Sequence, residues 1–275
     1  MERGRVTDLL RYDGKRTIVT GAASGMGAET ARLVASLGGE VFALDLKEPT
    51  VEVTKFLPVD LSDPAAIDAA VDSIGEPVHA LFNCAGLPNT FPGQQVMRVN
   101  FLGHRHLTEK VIPLMPEGGA VGFISSVGGM NFMAHMGELA ELCAITDFDA
   151  AREWCESHDE LIAEGYSFSK EAIVYYTMQR SGSLLADGKR INCISPGPTD
   201  TAMMPAFEQA MGKDYMDNFP KPIGRNARAE EQAYPLVFLN SDAGSYISGH
   251  NLLVDGGFLA AIMTGQIDPS SIMPS

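Results

Sequence analysis

The chain has 275 residues, of which 45% are hydrophobic and 20% charged, so it can bury a sizeable core and is not a disordered segment. Lysine and arginine number 20 against 35 acidic residues, which gives a net charge of −15. A protein this acidic repels nucleic-acid phosphates and anionic lipid, so we expect neither nucleic acid nor membrane as a partner. No apolar run approaches the roughly 18 residues that cross a bilayer, and residues 1–8 resemble no signal peptide. Four scattered cysteines without a CxxC pair predict no disulfide framework. We therefore expect a cytoplasmic location.

Short apolar runs alternate with longer helical stretches along the chain. This order predicts an α/β fold, in which a parallel sheet has helices on both faces. The expected strands are continuously apolar, as strands buried on both faces are. They cover residues 17–20, 41–45, 56–60, 79–83, 120–125, 190–194 and 251–255. Small and apolar residues at helical spacing predict a helix over about 26–37. Nothing in the composition divides the chain, so we expect a single domain.

Two stretches do not fit this alternation. The ten residues 46–55 contain a proline and are too few for a helical crossover, so we expect an abbreviated connection there. The second stretch, 131–164, holds nine acidic residues against the single Arg152 and thus −8 of the −15 net charge. Thr146 followed by Asp149 resembles a capping box. We expect an inserted helix with a solvated acidic side and one buried face, formed by Phe148, Ala151, Cys155 and Ile162.

A glycine-rich turn follows the first expected strand and opens the first helix. Glycines at 21, 25 and 27 allow sharp backbone turns and let a pyrophosphate approach without meeting a Cβ atom. The N–H groups and the positive dipole end of the helix favour phosphate at the same place. A glycine-rich turn alone is weak evidence, and an ordinary loop is the alternative.

Asp45, at the end of the second expected strand, gives this turn its context. A carboxylate there can accept hydrogen bonds from both hydroxyls of an adenosine ribose, and it would repel a 2′-phosphate. No lysine or arginine lies within residues 21–27 to attract such a phosphate, and Lys47 is the one nearby cation. We therefore predict NAD rather than NADP. The alternative for Asp45 is a turn-forming residue at a strand end.

The pentapeptide 166–170, Tyr-Ser-Phe-Ser-Lys, indicates proton-transfer chemistry. On a helix, Tyr166 and Lys170 lie one turn apart on the same face, so the ammonium group can sit near the phenol. Lowering a phenol pKa by about three units requires about 4 kcal/mol of preferential phenolate stabilisation. Lys170 and the positive ring of an oxidised nicotinamide can supply this together, so that the phenolate accepts an alcohol proton. The alternative is an ordinary surface pair.

With these motifs the chain resembles the short-chain dehydrogenase/reductase family, over roughly residues 14–258. The resemblance implies a Rossmann-type, doubly wound parallel sheet in a single domain. It rests on signatures that occur in the family's order: the TGxxxGxG turn at 20–27, Asp60-Leu61, the Asn-Cys-Ala-Gly at 83–86 (the family's NNAG with cysteine second), Asn100, Ser125-Ser126, the YxxSK at 166–170, Pro196-Gly197 and Val254-Asp255-Gly256-Gly257.

The resemblance implies roles by position. Tyr166 would be the acid/base, Lys170 would bind ribose and depress the phenol pKa, Ser126 would hydrogen-bond the substrate oxygen, and Asn100 would hold a water in a proton relay. A structural role is the alternative for Ser126 or Asn100. The implied NAD-binding residues are Gly21, Ser24, Gly25, Met26, Gly27, Asp45, Asp60, Leu61, Asn83, Ala85, Gly86, Tyr166, Lys170, Pro196, Gly197 and Thr199, with Ile194 beside Thr199 at the carboxamide.

Substrate selection is expected from loops at the carboxyl ends of the strands. Methionines and aromatic residues over 199–222 suit a pliable lid above a bulky apolar alcohol or ketone, or alternatively a helical core segment. The expected substrate residues are Met130, Met203, Met204 and Phe207. Ser126 and Tyr166 are 40 positions apart. This wide spacing resembles the subgroup of bacterial 3α-hydroxysteroid dehydrogenase/carbonyl reductases and coniferyl alcohol dehydrogenases.

The sequence is compatible with more than one oligomeric state and more than one function. The acidic stretch before Tyr166 should hinder the helix contact that builds many family tetramers, so we expect a homo-oligomer that is a dimer or an atypical tetramer. A catalytically silent dinucleotide sensor is the alternative from another functional class. A nucleotide-sugar epimerase is less favoured, because only 18 residues follow Gly257. The six histidines show no metal-ligand spacing, so we expect no metal site.

Overall fold

The computed structural model describes residues 8–75, 77–163 and 165–268. Its central sheet contains seven parallel strands. Their order across the sheet is β3-β2-β1-β4-β5-β6-β9, with the chain reversing direction of travel between β1 and β4, as in a doubly wound sheet. The strands are β1 Arg16–Thr20, β2 Glu40–Asp45, β3 Lys55–Pro58, β4 Ala80–Asn83, β5 Ala120–Ile124, β6 Arg190–Pro196 and β9 Asn251–Val254. All seven expected strands are confirmed within a few residues at their ends.

Helices cover both faces of the sheet. Within β1, Ile18 packs into one apolar cluster and its neighbour Val19 into the other, because successive side chains of a strand point to opposite faces. Helices α1 and α11 cover the Val19 face, while α2, α4 and α8 cover the Ile18 face. These five helices are α1 Gly25–Ser36, α2 Pro64–Ile74, α4 His104–Val111, α8 Tyr166–Ala186 and α11 Ala229–Asn240. The α/β class and the two helical layers are thus confirmed.

Shorter elements complete the fold. The connection between β2 and β3 contains no helix, as its length predicted. The segment Arg98–Gly103, between α3 Gly93–Met97 and α4, is a π-helix, a widened turn that is frequent at functional sites. A second, two-stranded sheet pairs β7 Thr199–Asp200 with β8 Ala227–Arg228, which the sequence did not indicate. The remaining helices near the site are α9 Met204–Met211, α10 Lys213–Asn218 and α12 Phe258–Met263.

After a short 3-10 helix at Phe132–His135, the acidic insert folds as three α-helices where one helix was expected. They are α5 Met136–Ala144, α6 Phe148–Ser157 and α7 Asp159–Ile162. The expected cap was wrong, because the side chain of Asp147 rather than Thr146 accepts the Ala150 N–H at 2.8 Å and starts α6. A second break at His158 separates Ile162 from α6. The expected buried face is nevertheless confirmed, since Phe148, Ala151, Cys155 and Ile162 are all buried.

The insert also has the expected solvated side. Most of its described acidic side chains are exposed, namely Glu141, Asp147, Asp149, Glu153, Glu156, Asp159 and Glu160. Glu164 lies outside the described residues. The apolar face of the insert packs on α8 and on the π-helix, so the insert covers the outer side of the helix that begins with Tyr166.

Candidate active site

The glycine-rich turn between β1 and α1 has the backbone geometry that its glycines permit. Gly21 and Gly25 have φ angles of +69° and +56°, which L-residues rarely adopt. A Cβ atom on Gly21 would lie 2.7 Å from the Cα of Ala85, and one on Gly27 would lie 2.1 Å from the Gly21 carbonyl oxygen. Helix α1 starts at Gly25, and among described residues Ser24 makes no side-chain capping bond to it. The first N–H groups of α1 therefore face the turn without a side-chain cap, as an anion site requires.

Asp45 ends β2 beside this turn. One carboxylate oxygen accepts the Ala23 N–H at 3.0 Å, and the other accepts the Lys47 N–H, also at 3.0 Å. An ionised carboxylate has about four lone-pair positions, so two remain for a ligand. Asp45 thus both fixes the turn and presents acceptors to the cavity that the turn borders.

Ser126, Tyr166 and Lys170 meet at the carboxyl end of β5. Ser126 follows β5, whereas Tyr166 and Lys170 occupy the first and second turns of α8. The Lys170 ammonium donates to the Ile124 carbonyl at 2.9 Å and lies 5.6 Å from the centre of the Tyr166 ring. The Ser126 hydroxyl accepts the Gly128 N–H at 3.0 Å. These three of the four predicted catalytic side chains line one cavity.

Burial controls the protonation of this group. It raises the pKa of Tyr166, while the hydrogen bond with Ser126 acts in the opposite direction. Burial lowers the pKa of Lys170 to about 8, because desolvation disfavours whichever form is charged. In the protein alone Ser126, and not Lys170, is the group that lowers the phenol pKa. The depression expected from Lys170 together with a bound nicotinamide stays a prediction. Because burial raises the pKa of Tyr166, a carbonyl substrate would meet a proton donor.

Asn100 lies in the π-helix and is fully buried. Its side chain accepts the Leu87 N–H at 2.7 Å and donates to the Leu87 carbonyl at 3.0 Å. Asn100 does not line the cavity. A Cβ atom on Gly86 would lie 3.5 Å from the Asn100 amide oxygen and 4.0 Å from the Lys170 ammonium, so Asn100 and Lys170 flank the same glycine. The water-holding role of Asn100 stays a prediction.

The cavity has a volume of about 590 Å³ and runs from the glycine-rich turn past Tyr166 to helices α9 and α10. Phe207 of α9 stands edge-on to the Tyr166 ring, with 5.2 Å between ring centres. Phe219 and Phe258 close the far end, with their ring centres 4.6 Å apart. Neither α9 nor α10 has a buried residue, so the core alternative for this stretch was wrong and it forms a cover of the cavity.

Most of the predicted site residues line this cavity. They are Gly21, Ser24, Gly25, Met26, Gly27, Asp45, Asp60, Leu61, Ala85, Gly86, Ser126, Tyr166, Lys170, Pro196, Gly197, Thr199, Met203, Met204 and Phe207. These residues come from seven separate parts of the chain, and the fold brings them to one edge of the sheet, where the carboxyl ends of the strands meet.

Four predicted residues do not line the cavity: Asn100, described above, and Met130, Asn83 and Ile194. Met130 was expected to contact substrate, but its sulfur atom accepts the Asn251 amide at 3.4 Å. The chain turns away there because Gly129 packs directly on the backbone of Lys170, with 2.7 Å from a Cβ atom to the Lys170 carbonyl carbon. Asn83 was expected to contact the dinucleotide, but it is buried beneath the site and donates to Thr108 at 3.1 Å. Ile194 is likewise buried in the sheet.

Sequence reasoning missed Gln95, Val99 and Phe258, which also line the cavity. The position of Phe258 could have been inferred from the two glycines before it. Gly256 and Gly257 have φ angles of +63° and +88° and reverse the chain after β9. The turn brings the phenyl ring back over the cavity. Gln95 and Val99 gave no such signal, because their place depends on the path of α3 and the π-helix.

Residues 8–75, 77–163 and 165–268 contain neither a metal-binding cluster nor a membrane-spanning helix. No group of three or more His, Cys, Asp or Glu side chains in these ranges is arranged to hold a metal ion. No helix within them is long and apolar enough to cross a bilayer.

Comparison with known proteins decides the family. A sequence model described as short chain dehydrogenase matches residues 15–138, and one described as enoyl-(acyl carrier protein) reductase matches residues 157–259. Coniferyl-alcohol dehydrogenase from a Pseudomonas species is 33% identical over 249 residues, which cover 90% of this chain and 98% of that protein. The chain belongs to the short-chain dehydrogenase/reductase family. Members of this family are oxidoreductases that bind a nicotinamide dinucleotide.

Two further relatives of this short-chain dehydrogenase are hydroxysteroid enzymes by name. A 3-alpha-hydroxysteroid dehydrogenase/carbonyl reductase from Comamonas testosteroni is 28% identical over 90% of this chain and 98% of its own length. The crystal structure of a 3-alpha-hydroxysteroid dehydrogenase from a Pseudomonas species, complexed with NADH, superposes with a TM-score of 0.77 at 26% identity, and covers 92% of this chain and all of that one. The resemblance to the two-enzyme subgroup is thus confirmed at the level of relatives.

Proposed function

We propose that the protein is an NAD-dependent oxidoreductase that interconverts a hydroxyl and a carbonyl group on a bulky hydrophobic molecule. One observation carries the proposal: a single cavity joins Asp45 and the glycine-rich turn to Ser126, Tyr166 and Lys170, and then to an apolar cover. A dinucleotide fits the first part, because no side chain that the structure describes caps the first N–H groups of α1 there and Asp45 presents acceptors beside them. Nicotinamide, when bound, accepts or supplies the hydride.

In this proposal Tyr166 transfers the proton, and Ser126 and Lys170 assist it. In carbonyl reduction, Ser126 hydrogen-bonds the substrate oxygen and the protonated phenol of Tyr166 donates its hydrogen to that oxygen. In alcohol oxidation Tyr166 must first lose its proton, which its raised pKa opposes. A positive charge brought near the phenol lowers that cost. Lys170 can provide it by turning from the Ile124 carbonyl towards the cavity.

The apolar part of the cavity supports a substrate with a large hydrophobic body. Phe207, Phe219 and Phe258 form an aromatic wall beyond Tyr166, and the methionines of α9 can adjust to the shape of a ligand. Hydroxysteroids are the first class we propose, and aromatic or terpenoid alcohols are the alternative. Both classes match the names of the relatives that the chain resembles.

A silent dinucleotide sensor is the alternative from another functional class, and the complete Ser126, Tyr166 and Lys170 set disfavours it. We also propose a homo-oligomer, either a dimer or an atypical tetramer, because the insert covers α8. A cytoplasmic location fits four free cysteines. Light scattering before and after removal of residues 131–164 tests the assembly, and a tetramer that persists in the trimmed protein would contradict it.

The function is tested with NAD and a panel of steroid, terpenoid and phenylpropanoid alcohols. The wild type should reduce NAD with at least one class. Tyr166→Phe removes only the hydroxyl group, so it should abolish turnover and leave NADH binding within about threefold of wild type. Tyr175→Phe, on the same helix and outside the cavity lining, is the control. Normal turnover by Tyr166→Phe would refute the acid/base role, and absence of turnover with NADH binding intact in the wild type would favour the sensor.

A further inference from the structure

A buried histidine lies behind the dinucleotide end of the cavity. His104 is the first residue of α4, directly after the π-helix, and is 1% exposed. Its ring meets Phe123 edge-on, with ring centres 6.2 Å apart. Burial lowers the pKa of His104 to about 3, so the imidazole is neutral at physiological pH. It does not line the cavity and has no part in the chemistry described above.

Both ring nitrogens of His104 are hydrogen-bonded. Nε2 lies 2.9 Å from the Thr20 hydroxyl, and Nδ1 lies 3.1 Å from the Asn100 carbonyl oxygen. The Thr20 oxygen accepts the N–H groups of Cys84 at 2.9 Å and Ala85 at 3.0 Å. These two bonds occupy both lone pairs of the hydroxyl, so its single hydrogen must point to Nε2. The ring proton is therefore on Nδ1 and is donated to Asn100.

These bonds close a ring through three parts of the fold. From Thr20 at the end of β1, the ring passes to Ala85 after β4 and along the chain to Leu87. The side chain of Asn100 binds Leu87 on both backbone groups, and its carbonyl returns through His104 to Thr20. The Thr20 hydroxyl, both ring nitrogens of His104 and the side-chain amide of Asn100 all have hydrogen-bond partners. A buried network that is fully hydrogen-bonded holds a single geometry.

The ring fixes the backbone that forms the dinucleotide end. Thr20 precedes Gly21, which packs against Ala85 with no room for a Cβ atom. Leu87 follows Gly86, which lies between Asn100 and Lys170. We propose that His104 is a positioning residue, which sets the distance between the glycine-rich turn, the loop after β4 and the Asn100 segment, and so tunes dinucleotide affinity. This inference rests on the proposed function.

The role requires one hydrogen-bond donor and one acceptor on a side chain of this size. Leucine has neither and would leave the Thr20 hydroxyl and the Asn100 carbonyl without their partner. Glutamine carries both on one amide and can replace the imidazole. His106, two residues along the same helix, binds Asp68 at 2.9 Å on the outer side of the protein, and its replacement is a matched control.

The experiment measures NADH affinity by fluorescence titration, next to thermal unfolding of the same ligand-free samples. His104→Leu should weaken NADH binding roughly tenfold or more, since two buried hydrogen bonds are lost. His104→Gln should bind within about threefold of wild type, and His106→Gln should match wild type. Thr20→Val should weaken binding as His104→Leu does, and the double variant should be no weaker than the worse single variant, because both changes break one network.

The outcomes separate positioning from simple stability. If His104→Leu melts earlier but binds NADH as tightly as wild type, the histidine is only structural and the inference is overturned. Should His104→Leu not fold, wild-type affinity in Thr20→Val overturns it equally. Failure of the wild type to bind NADH would instead refute the proposed function, and additive losses in the double variant would show that no shared network exists.

Discussion

Replacement of Asp45 by asparagine tests the dinucleotide preference directly. The change removes one negative charge and keeps an oxygen, so one of the two backbone bonds from Ala23 and Lys47 survives. Loss of the other should lower the free energy of unfolding by about 1 kcal/mol. The carboxylate is half-buried, so its repulsion of a 2′-phosphate is partly screened by solvent.

The magnitude follows from Coulomb's law. Two unit charges about 4 Å apart interact by about 4 kcal/mol at an effective dielectric constant of about 20. Screening at this half-exposed position reduces that to about 1.5–3 kcal/mol, which corresponds to roughly ten- to a hundredfold in affinity. Asp45→Asn should therefore strengthen NADP binding by that factor. NAD binding should weaken by up to about tenfold, because charged acceptors form stronger hydrogen bonds to hydroxyl groups.

Isothermal titration with NAD and NADP gives both constants. Asp60→Asn is the matched control, since Asp60 also lines the cavity but binds Ser62 at 2.8 Å, and it should alter both affinities alike. If Asp45→Asn leaves the ratio of the two affinities at its wild-type value, Asp45 does not select between the dinucleotides.

Three further predictions concern α8 and the cover of the cavity. Lys170 has a pKa of about 8 in the folded protein and about 10.5 in the unfolded chain, so between these pH values only the unfolded chain keeps the proton. The free energy of unfolding of the wild type should therefore rise by about 3 kcal/mol over this range relative to that of Lys170→Met. Urea unfolding of both proteins measures the difference, and parallel pH curves would contradict the prediction. Gly165→Ala should cost at least about 2 kcal/mol and reduce turnover, since Gly165 has a φ angle of +65° and its added Cβ atom would meet the Gly93 oxygen at 2.4 Å. Gly182 lies within α8, whereas Gly165 precedes it. The Cβ atom of Gly182→Ala meets nothing within 4 Å, so this variant should raise the melting temperature; equal effects at the two glycines would refute this. Phe207→Ala should reduce kcat/KM for a bulky alcohol roughly tenfold more than for a small one, and an equal loss for both would show that Phe207 does not contact substrate.

The parts of the fold that depend on local pattern could be predicted from the sequence. Strand β1 and the turn that follows it could be predicted because buried strands and phosphate-binding turns each require particular residue types in adjacent positions. The pair of Tyr166 and Lys170 was readable because helical spacing alone places both on one face.

The missed features depend on contacts between distant segments. Met130 leaves the cavity because Gly129 packs on α8, and no pattern near Met130 reveals that packing. The start of α6 at Asp147 could have been recognised from the sequence, since aspartate is as good an N-cap as threonine. Asp147 rather than Thr146 directly precedes the buried Phe148. The raised pKa of Tyr166 in the protein alone also depends on distant segments, because burial raises it and no sequence pattern near Tyr166 reveals that burial.

The absence of buried side chains from α9 and α10 has a consequence for how this enzyme can diverge. Substitutions in core positions typically cost several kcal/mol, but exchanges along these two helices remove almost no interior packing. Met204 and Phe207 of α9, and Met203 directly before it, can therefore be randomised together without endangering the sheet. A library confined to this cover should yield mostly folded proteins with altered substrate ranges, and laboratory evolution of a new specificity would do well to begin there.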